Sequence, residues 1–215
     1  MTRPFMILPL LALLAGPAMA HDAHQHHGPK DAPAGTASLV TIRLPDVRFV
    51  DATGTARRLD EEVIGPRLVV MDFIFTSCTS VCPVLSSILG VVQDRLGPRL
   101  GPEVAMVSVS VDPANDTPAR LKDYGARFGA GPEWTFLTGA KPDVDRLLAR
   151  AGVNAPSPAD HTPVVLVGDP DRQAWVRLYG MPTPEQILNA LDTVAQGRER
   201  AAAGVAFKEA HHGNH

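Results

Sequence analysis

Strand-length and helix-period patterns alternate along this chain, which points to one α/β domain with a mixed central sheet flanked by helices. Three observations carry that reading. Residues 67–75 and 104–111 are near-continuous apolar runs of strand length, as strands covered on both faces require. After each comes a proline-opened segment whose apolar residues recur every three or four positions, the period of an amphipathic helix. Near the end, residues 164–167 and 174–178 flank Gly168-Asp169-Pro170-Asp171-Arg172, which reads as a hairpin.

The elements follow in order. After Pro83, Leu85, Leu89, Val92 and Leu96 form a helical stripe that stops at Gly97, and counting back along it reaches Cys82 and Cys78. Behind the second strand, Thr117 is placed to cap a helix with Pro118 at its first position and Leu121, Tyr124 and Phe128 inward. Residues 134–137 read as a short strand. A helix over 141–151 turns Val144, Leu147 and Leu148 inward and stops at Gly152. Thr183 and Gln186 have capping-box spacing, with Pro184 opening a last helix through Ile187, Leu188, Leu191 and Val194.

The ends read differently. Residues 1–20 carry one cation, Arg3, an apolar stretch and Ala18-Met19-Ala20, the pattern of a cleaved secretory signal. The stretch is short for a bilayer span of ~20 residues, so export with cleavage is the reading and a retained anchor facing the periplasm the alternative. Removing it takes Arg3 and no acid, so the net charge of -3 becomes more negative, which disfavours nucleic acid and anionic membranes as partners. Residues 21–37 form a His-rich segment expected to be flexible, 38–197 the domain, and 198–215 a second flexible, His-containing tail, of which residues 201–207 could extend the last helix weakly.

Cys78 and Cys82 are the only cysteines, and they stand where an apolar strand gives way to a helix. Helical residues four apart have Cβ atoms roughly 5 to 6 Å apart, close enough to share one ion or to form a disulfide. Backbone N–H groups at a helix start favour thiolate, which serves metal capture and disulfide exchange equally. Of eight histidines, four lie within 21–27 and three within 211–215, leaving His161 alone in the domain. Thiolates select Cu(I), Zn(II) or iron–sulfur clusters, clusters want four cysteines, and structural zinc wants four ligands. Two sulfurs and one imidazole therefore suit copper best, with an open zinc site behind it. A purely structural disulfide closes too small a loop to stabilise a domain much. The loop 112–118 brings two aspartates near the strand ends, but capping accounts for Asp116, Thr117 and Pro118. Asp72, inside the buried strand, has no partner identifiable from sequence. The tail histidines suit weak capture of Cu(II) or Zn(II).

Phe73-Ile74-Phe75-Thr76-Ser77-Cys78-Thr79-Ser80-Val81-Cys82-Pro83, with Asp112-Pro113, Asp116-Thr117-Pro118, Trp134-Thr135-Phe136-Leu137-Thr138-Gly139 and Asp160-His161-Thr162, resembles the Sco/SenC family of copper proteins over about residues 44–194. The resemblance implies a thioredoxin-like fold, copper held by Cys78, Cys82 and His161, and a part in maturing the binuclear copper centre of cytochrome c oxidase. Its copper-bearing subunit is then the partner, with a thiol reductant or an upstream copper donor besides. Three departures stand out. Thr79 occupies a position where many members have proline, the N-terminus looks cleavable where members are usually anchored, and Thr162-Pro163 looks like the cis-proline loop of thioredoxin-type oxidoreductases. The expectation is an exported copper metallochaperone rather than an enzyme. The alternative is a thiol–disulfide oxidoreductase in which Cys78 attacks and Cys82 resolves. A peroxidase would need an arginine beside the reactive thiol, and none adjoins Cys78.

Overall fold

A computed structural model describes residues 37–153, 157–160 and 162–212. The expected signal segment, the histidines of 21–27 and His161 lie outside the described residues.

Among the described residues, eight strands form one sheet: β1 (Ala37–Thr41), β2 (Arg48–Asp51), β3 (Ala56–Arg58), β4 (Leu68–Ile74), β5 (Val104–Ser110), β6 (Trp134–Gly139), β7 (Val164–Asp169) and β8 (Ala174–Tyr179). Their spatial order is β1-β8-β7-β4-β5-β6-β2-β3. β4 runs parallel to β5 and β5 to β6, while β4–β7, β7–β8, β1–β8, β2–β6 and β2–β3 are antiparallel. The sheet is mixed, as expected. Every residue of β4 and β5 is buried, which is why their sequences read as apolar runs rather than alternations.

Helices cover both faces. α1 (Val81–Leu96), α2 (Pro118–Arg127) and α4 (Pro184–His212) turn Leu85, Leu89, Leu121, Tyr124, Ile187 and Leu191 onto the face that carries Val70 and Ile74 of β4. α3 (Lys141–Ala151) and a single helical turn at Leu59–Ile64 cover the other face, over Val69, Met71 and Phe73. Each fully buried leucine of α1 contributes about 1.5–3 kcal/mol of transfer free energy. The capping signals fold as expected. Thr117 Oγ1 accepts the Arg120 N–H at 3.3 Å, and Gly152 stops α3 in the left-handed region at φ 66°. Thr183 and Gln186 exchange reciprocal bonds of 2.8 and 3.3 Å.

Two regions differ from the sequence expectation. Residues 38–66 showed no element, yet they hold β1, the β2–β3 hairpin and the turn at Leu59–Ile64. These strands have three to five residues, and β1 is a sheet edge with Leu39 80 % exposed, so hydrophobic periodicity is weak. The hairpin is made by Asp51, whose Oδ1 accepts the N–H groups of Thr53 and Thr55 at 2.9 and 3.0 Å. The last helix also continues past residue 197 to His212. Arg198 holds it there: Nε and Nη2 donate to Asp169 Oδ2 and Oδ1, both at 2.7 Å, and Nη1 donates to the Pro66 carbonyl at 2.8 Å.

One close approach locks β7 to β8. A Cβ on Gly168 would stand 2.2 Å from the Trp175 ring, whose Nε1 donates to the Ile42 carbonyl at 2.9 Å. Only glycine lets the indole lie across the strand.

Candidate functional site

β4 ends at Ile74, and the chain turns at once, the Cys78 N–H donating to the Phe75 carbonyl at 3.1 Å. α1 then starts at Val81, before Pro83 rather than after it. Proline is accepted in the first helical turn because the N–H it lacks has no partner there anyway. Cys82 is thus inside the helix, whereas Cys78 precedes it and does not belong to its stripe. This corrects the expectation of two helical cysteines.

The sulfurs still meet. Ser80, the N-cap residue, makes no side-chain cap bond, and the Cys82 N–H instead donates to Cys78 Sγ at 3.4 Å. A sulfur therefore does the work usually done by a capping oxygen, at the positive end of the helix. Ser80 Oγ lies 3.9 Å from the same sulfur. Both cysteines are free, Cys78 9 % and Cys82 2 % exposed.

Their acidities separate accordingly. Burial pushes Cys78 up, but donation from the Cys82 thiol, the Ser80 and Cys82 N–H groups and the Ser80 hydroxyl outweighs it and leaves Cys78 below the ordinary thiol value. Cys82 is pushed up to about 12, first by burial, then by its bond to Cys78. The first proton leaves easily and the second only when something positive replaces it. That is how a dithiol binds a soft cation, releasing protons as it does so.

Asp72 lies beneath this corner, on the α1 side of β4 and fully buried. Ser108 Oγ donates to its Oδ1 at 2.5 Å and itself accepts the Trp134 Nε1–H at 2.9 Å, while Oδ2 has no hydrogen-bond partner among the described residues. Burial pushes the carboxyl up to about 7, against the pull of Ser108. Its charge in turn raises Cys82 and Tyr124. The sequence marks Asp72 as an acid in an apolar run, but the donor from β5 emerges only from the Asp72–Ser108 register.

Asp116 differs from its expected part. Thr117 does the capping, while the Asp116 carboxylate accepts the Thr76 N–H at 3.1–3.2 Å, the Thr76 hydroxyl at 2.5 Å and the Ser110 hydroxyl at 2.6 Å. Asp112 instead accepts the Asn115 amide at 2.9–3.0 Å.

His161 is outside the described residues, but its flanks are not. Asp160 accepts the Ser157 hydroxyl at 2.6 Å. Val165 of β7 pairs with Asp72 of β4, so β7 enters the sheet at the end where β4 leaves it for the cysteines. The Thr162–Pro163 bond is not cis, since no peptide bond among the described residues is, and that expected likeness to oxidoreductases is absent. Among the described residues no three His, Cys, Asp or Glu side chains gather into a metal-holding group, and no helix is long and apolar enough to cross a membrane.

Sheet, helices and corner together define a thioredoxin-like domain with a cysteine pair at the mouth of its first long helix. The chain belongs to the SCO1/SenC family, whose model matches residues 44–196. It is 39% identical over 69 residues to the SCO1 protein homolog of Bacillus subtilis, a span covering 32% of this chain and 35% of that protein. Across the first three curated relatives, the matched span covers between 35% and 52% of their length. Two solved structures share the fold. BsSco, a member of the Sco family of cytochrome c oxidase assembly proteins, superposes with a TM-score of 0.63 at 23% identity over 74% of this chain and 96% of that one. Arabidopsis thaliana ScoI with copper bound gives 0.61 at 18% over 73% and 99%.

Proposed function

We propose that this protein is an exported, periplasmic copper metallochaperone that carries one copper ion on Cys78, Cys82 and His161. It passes the ion by ligand exchange to the copper-bearing subunit of cytochrome c oxidase. The observation that supports the reading is the sulfur pair itself: Cys78, made more acidic than an ordinary thiol by donors from the Cys82 thiol and the helix mouth, beside the second, more deeply buried thiol of Cys82. Soft sulfur donors select Cu(I), and copper is the metal bound in the structural neighbour from Arabidopsis thaliana. Cytochrome c oxidase assembly comes from the family resemblance and from the description of BsSco. Export comes from the sequence pattern of residues 1–20. Delivery starts at Cys78, the less buried sulfur. A soft ligand of the acceptor replaces it, and the freed thiolate takes up a proton.

The acidity split favours one second reading, a thiol–disulfide oxidoreductase that reduces the acceptor's cysteines. There the Cys78 thiolate attacks a target disulfide, and Cys82 then displaces the reduced target as its own disulfide with Cys78 forms. His161→Ala separates the two. X-ray absorption of the copper-loaded protein should show two sulfurs and one nitrogen, the nitrogen lost in the variant with its thiol exchange intact. Unchanged copper stoichiometry and affinity in His161→Ala would overturn the proposed ligand set.

A further inference from the structure

We infer that Asp116 is a positioning residue for Cys78, acting through Thr76. This rests on reading Cys78 and Cys82 as the functional pair, and it names what holds the movable member in place. Asp116 is 1 % exposed and 40 residues from Thr76 in sequence, yet its carboxylate takes both the N–H and the hydroxyl of Thr76 and also the Ser110 hydroxyl at the end of β5. One side chain thereby clamps the exit of β4 to the exit of β5.

Thr76 is the second residue of the turn that the Cys78 N–H closes onto Phe75. Beyond it, Ser77, Thr79 and Ser80 are exposed and supply no buried anchor. The direction in which Cys78 leaves the turn is therefore set by how Thr76 is held at one end and by the Cys82 N–H at the other. Charge-assisted bonds to a carboxylate are about twice as strong as neutral ones, and three donors on one carboxylate fix Thr76 in orientation as well as place. A loose Thr76 lets Cys78 Sγ swing off the helix mouth, where it loses the N–H that favours its thiolate and its distance to Cys82 Sγ.

The test uses the full-length mature protein, reduced and metal-free, with Asp116→Asn, Thr76→Val and Thr76→Ser. Asparagine sets an amide donor against the donors of Thr76 and Ser110, valine removes only the hydroxyl, and serine keeps every donor. Four quantities are read: the ratio of Cys78 to Cys82 alkylation rates by iodoacetamide, the reduction potential of the Cys78–Cys82 pair, Cu(I) affinity by competition with a chromophoric chelator, and the unfolding midpoint. Asp116→Asn should lower the alkylation ratio and Cu(I) affinity by about 10–100-fold, the range seen when supporting partners of ligands are removed. Thr76→Val should shift both less, move the potential in the same direction as Asp116→Asn, and Thr76→Ser should match wild type. A merely structural bond would move the unfolding midpoint alone, and that result overturns the inference. Where Asp116→Asn does not fold, Thr76→Val decides by the same criterion. Thiol readouts that shift in a protein that binds no Cu(I) sink the copper reading and leave the clamp standing. Wild-type thiol readouts beside tight Cu(I) binding do the reverse.

Discussion

Two buried aspartates, Asp72 on β4 and Asp169 on β7, lie toward opposite ends of the sheet and are handled in opposite ways. Asp169 is gripped by the guanidinium of Arg198. Burial pushes its carboxyl up, but Arg198 more than offsets that, and the group sits below the usual carboxylate range. Asp72 receives one neutral hydroxyl, keeps an oxygen with no hydrogen-bond partner among the described residues, and is pushed up to about 7 by burial. The far end of the sheet is thus sealed by a fixed ion pair, while beneath the cysteines Asp72 holds its proton up to about pH 7. The difference teaches that the two ends handle a buried acid differently: one fixes it with a cation that anchors α4, the other leaves it able to hold a proton beneath the cysteines proposed to carry copper.

The largest expected effect concerns the copper proposed for Cys78 and Cys82. Cys78→Ser or Cys82→Ser should weaken Cu(I) binding by more than about 100-fold in chelator competition, beyond the loss typical of supporting residues. Tight Cu(I) binding in either variant would place the metal elsewhere and dissolve the contrast between the ends. Next is the sealed end. Arg198→Ala leaves Asp169 buried without its guanidinium, with only Arg172 still favouring its charge, and should cost about 2–3 kcal/mol in urea unfolding at pH 7, a buried-pair value reduced because Arg198 is partly exposed. Since the Asp169 carboxyl is depressed in the folded protein, this contribution is present above the unfolded value near 4 and is lost as pH falls through the folded value. The variant should therefore resemble wild type more closely in acid.

Asp72 carries the opposite sign. Its folded value near 7 lies above the unfolded one, so its contribution is fully present below about pH 4 and is lost as pH rises through 7. Between pH 5 and 8.5, wild type should lose about 1–3 kcal/mol relative to Asp72→Asn. Parallel pH profiles would show that the carboxyl ionises normally. The smallest effect is at the start of α4, where Thr183→Ala removes one side of the capping box and should cost about 1 kcal/mol, seen as a lower Tm with Cu(I) affinity unchanged.

What could be read beforehand tracks the range of the forces involved. β4, β5, α2, α3 and the hairpin were legible because period, caps and stop glycines act within a few residues, as at Thr117 and Gly152. β1, β2 and β3 were not, because short strands take their definition from neighbours such as β8 and β6, far away in the chain. In the site, the cysteine pair was visible as sequence. The sulfur cap on α1, the Asp116 grip on Thr76 and the Ser108 donor to Asp72 were not, since each joins groups whose meeting depends on the strand register or on where the helix begins. α4 also runs past residue 197, where Arg198 meets Asp169, a partner far away in the chain that no local pattern announces.

The chain has only two tryptophans, and the fold has divided them. Trp175 is pressed on Gly168, beside the sealed end, with its indole hydrogen bond spent on Ile42. Trp134 is wired through Ser108 to Asp72 beneath the cysteines. With Trp175 changed to phenylalanine, the emission of the remaining indole becomes a native optical gauge of the Asp72 proton and of the copper proposed for the sulfurs, and no dye has to be attached near them.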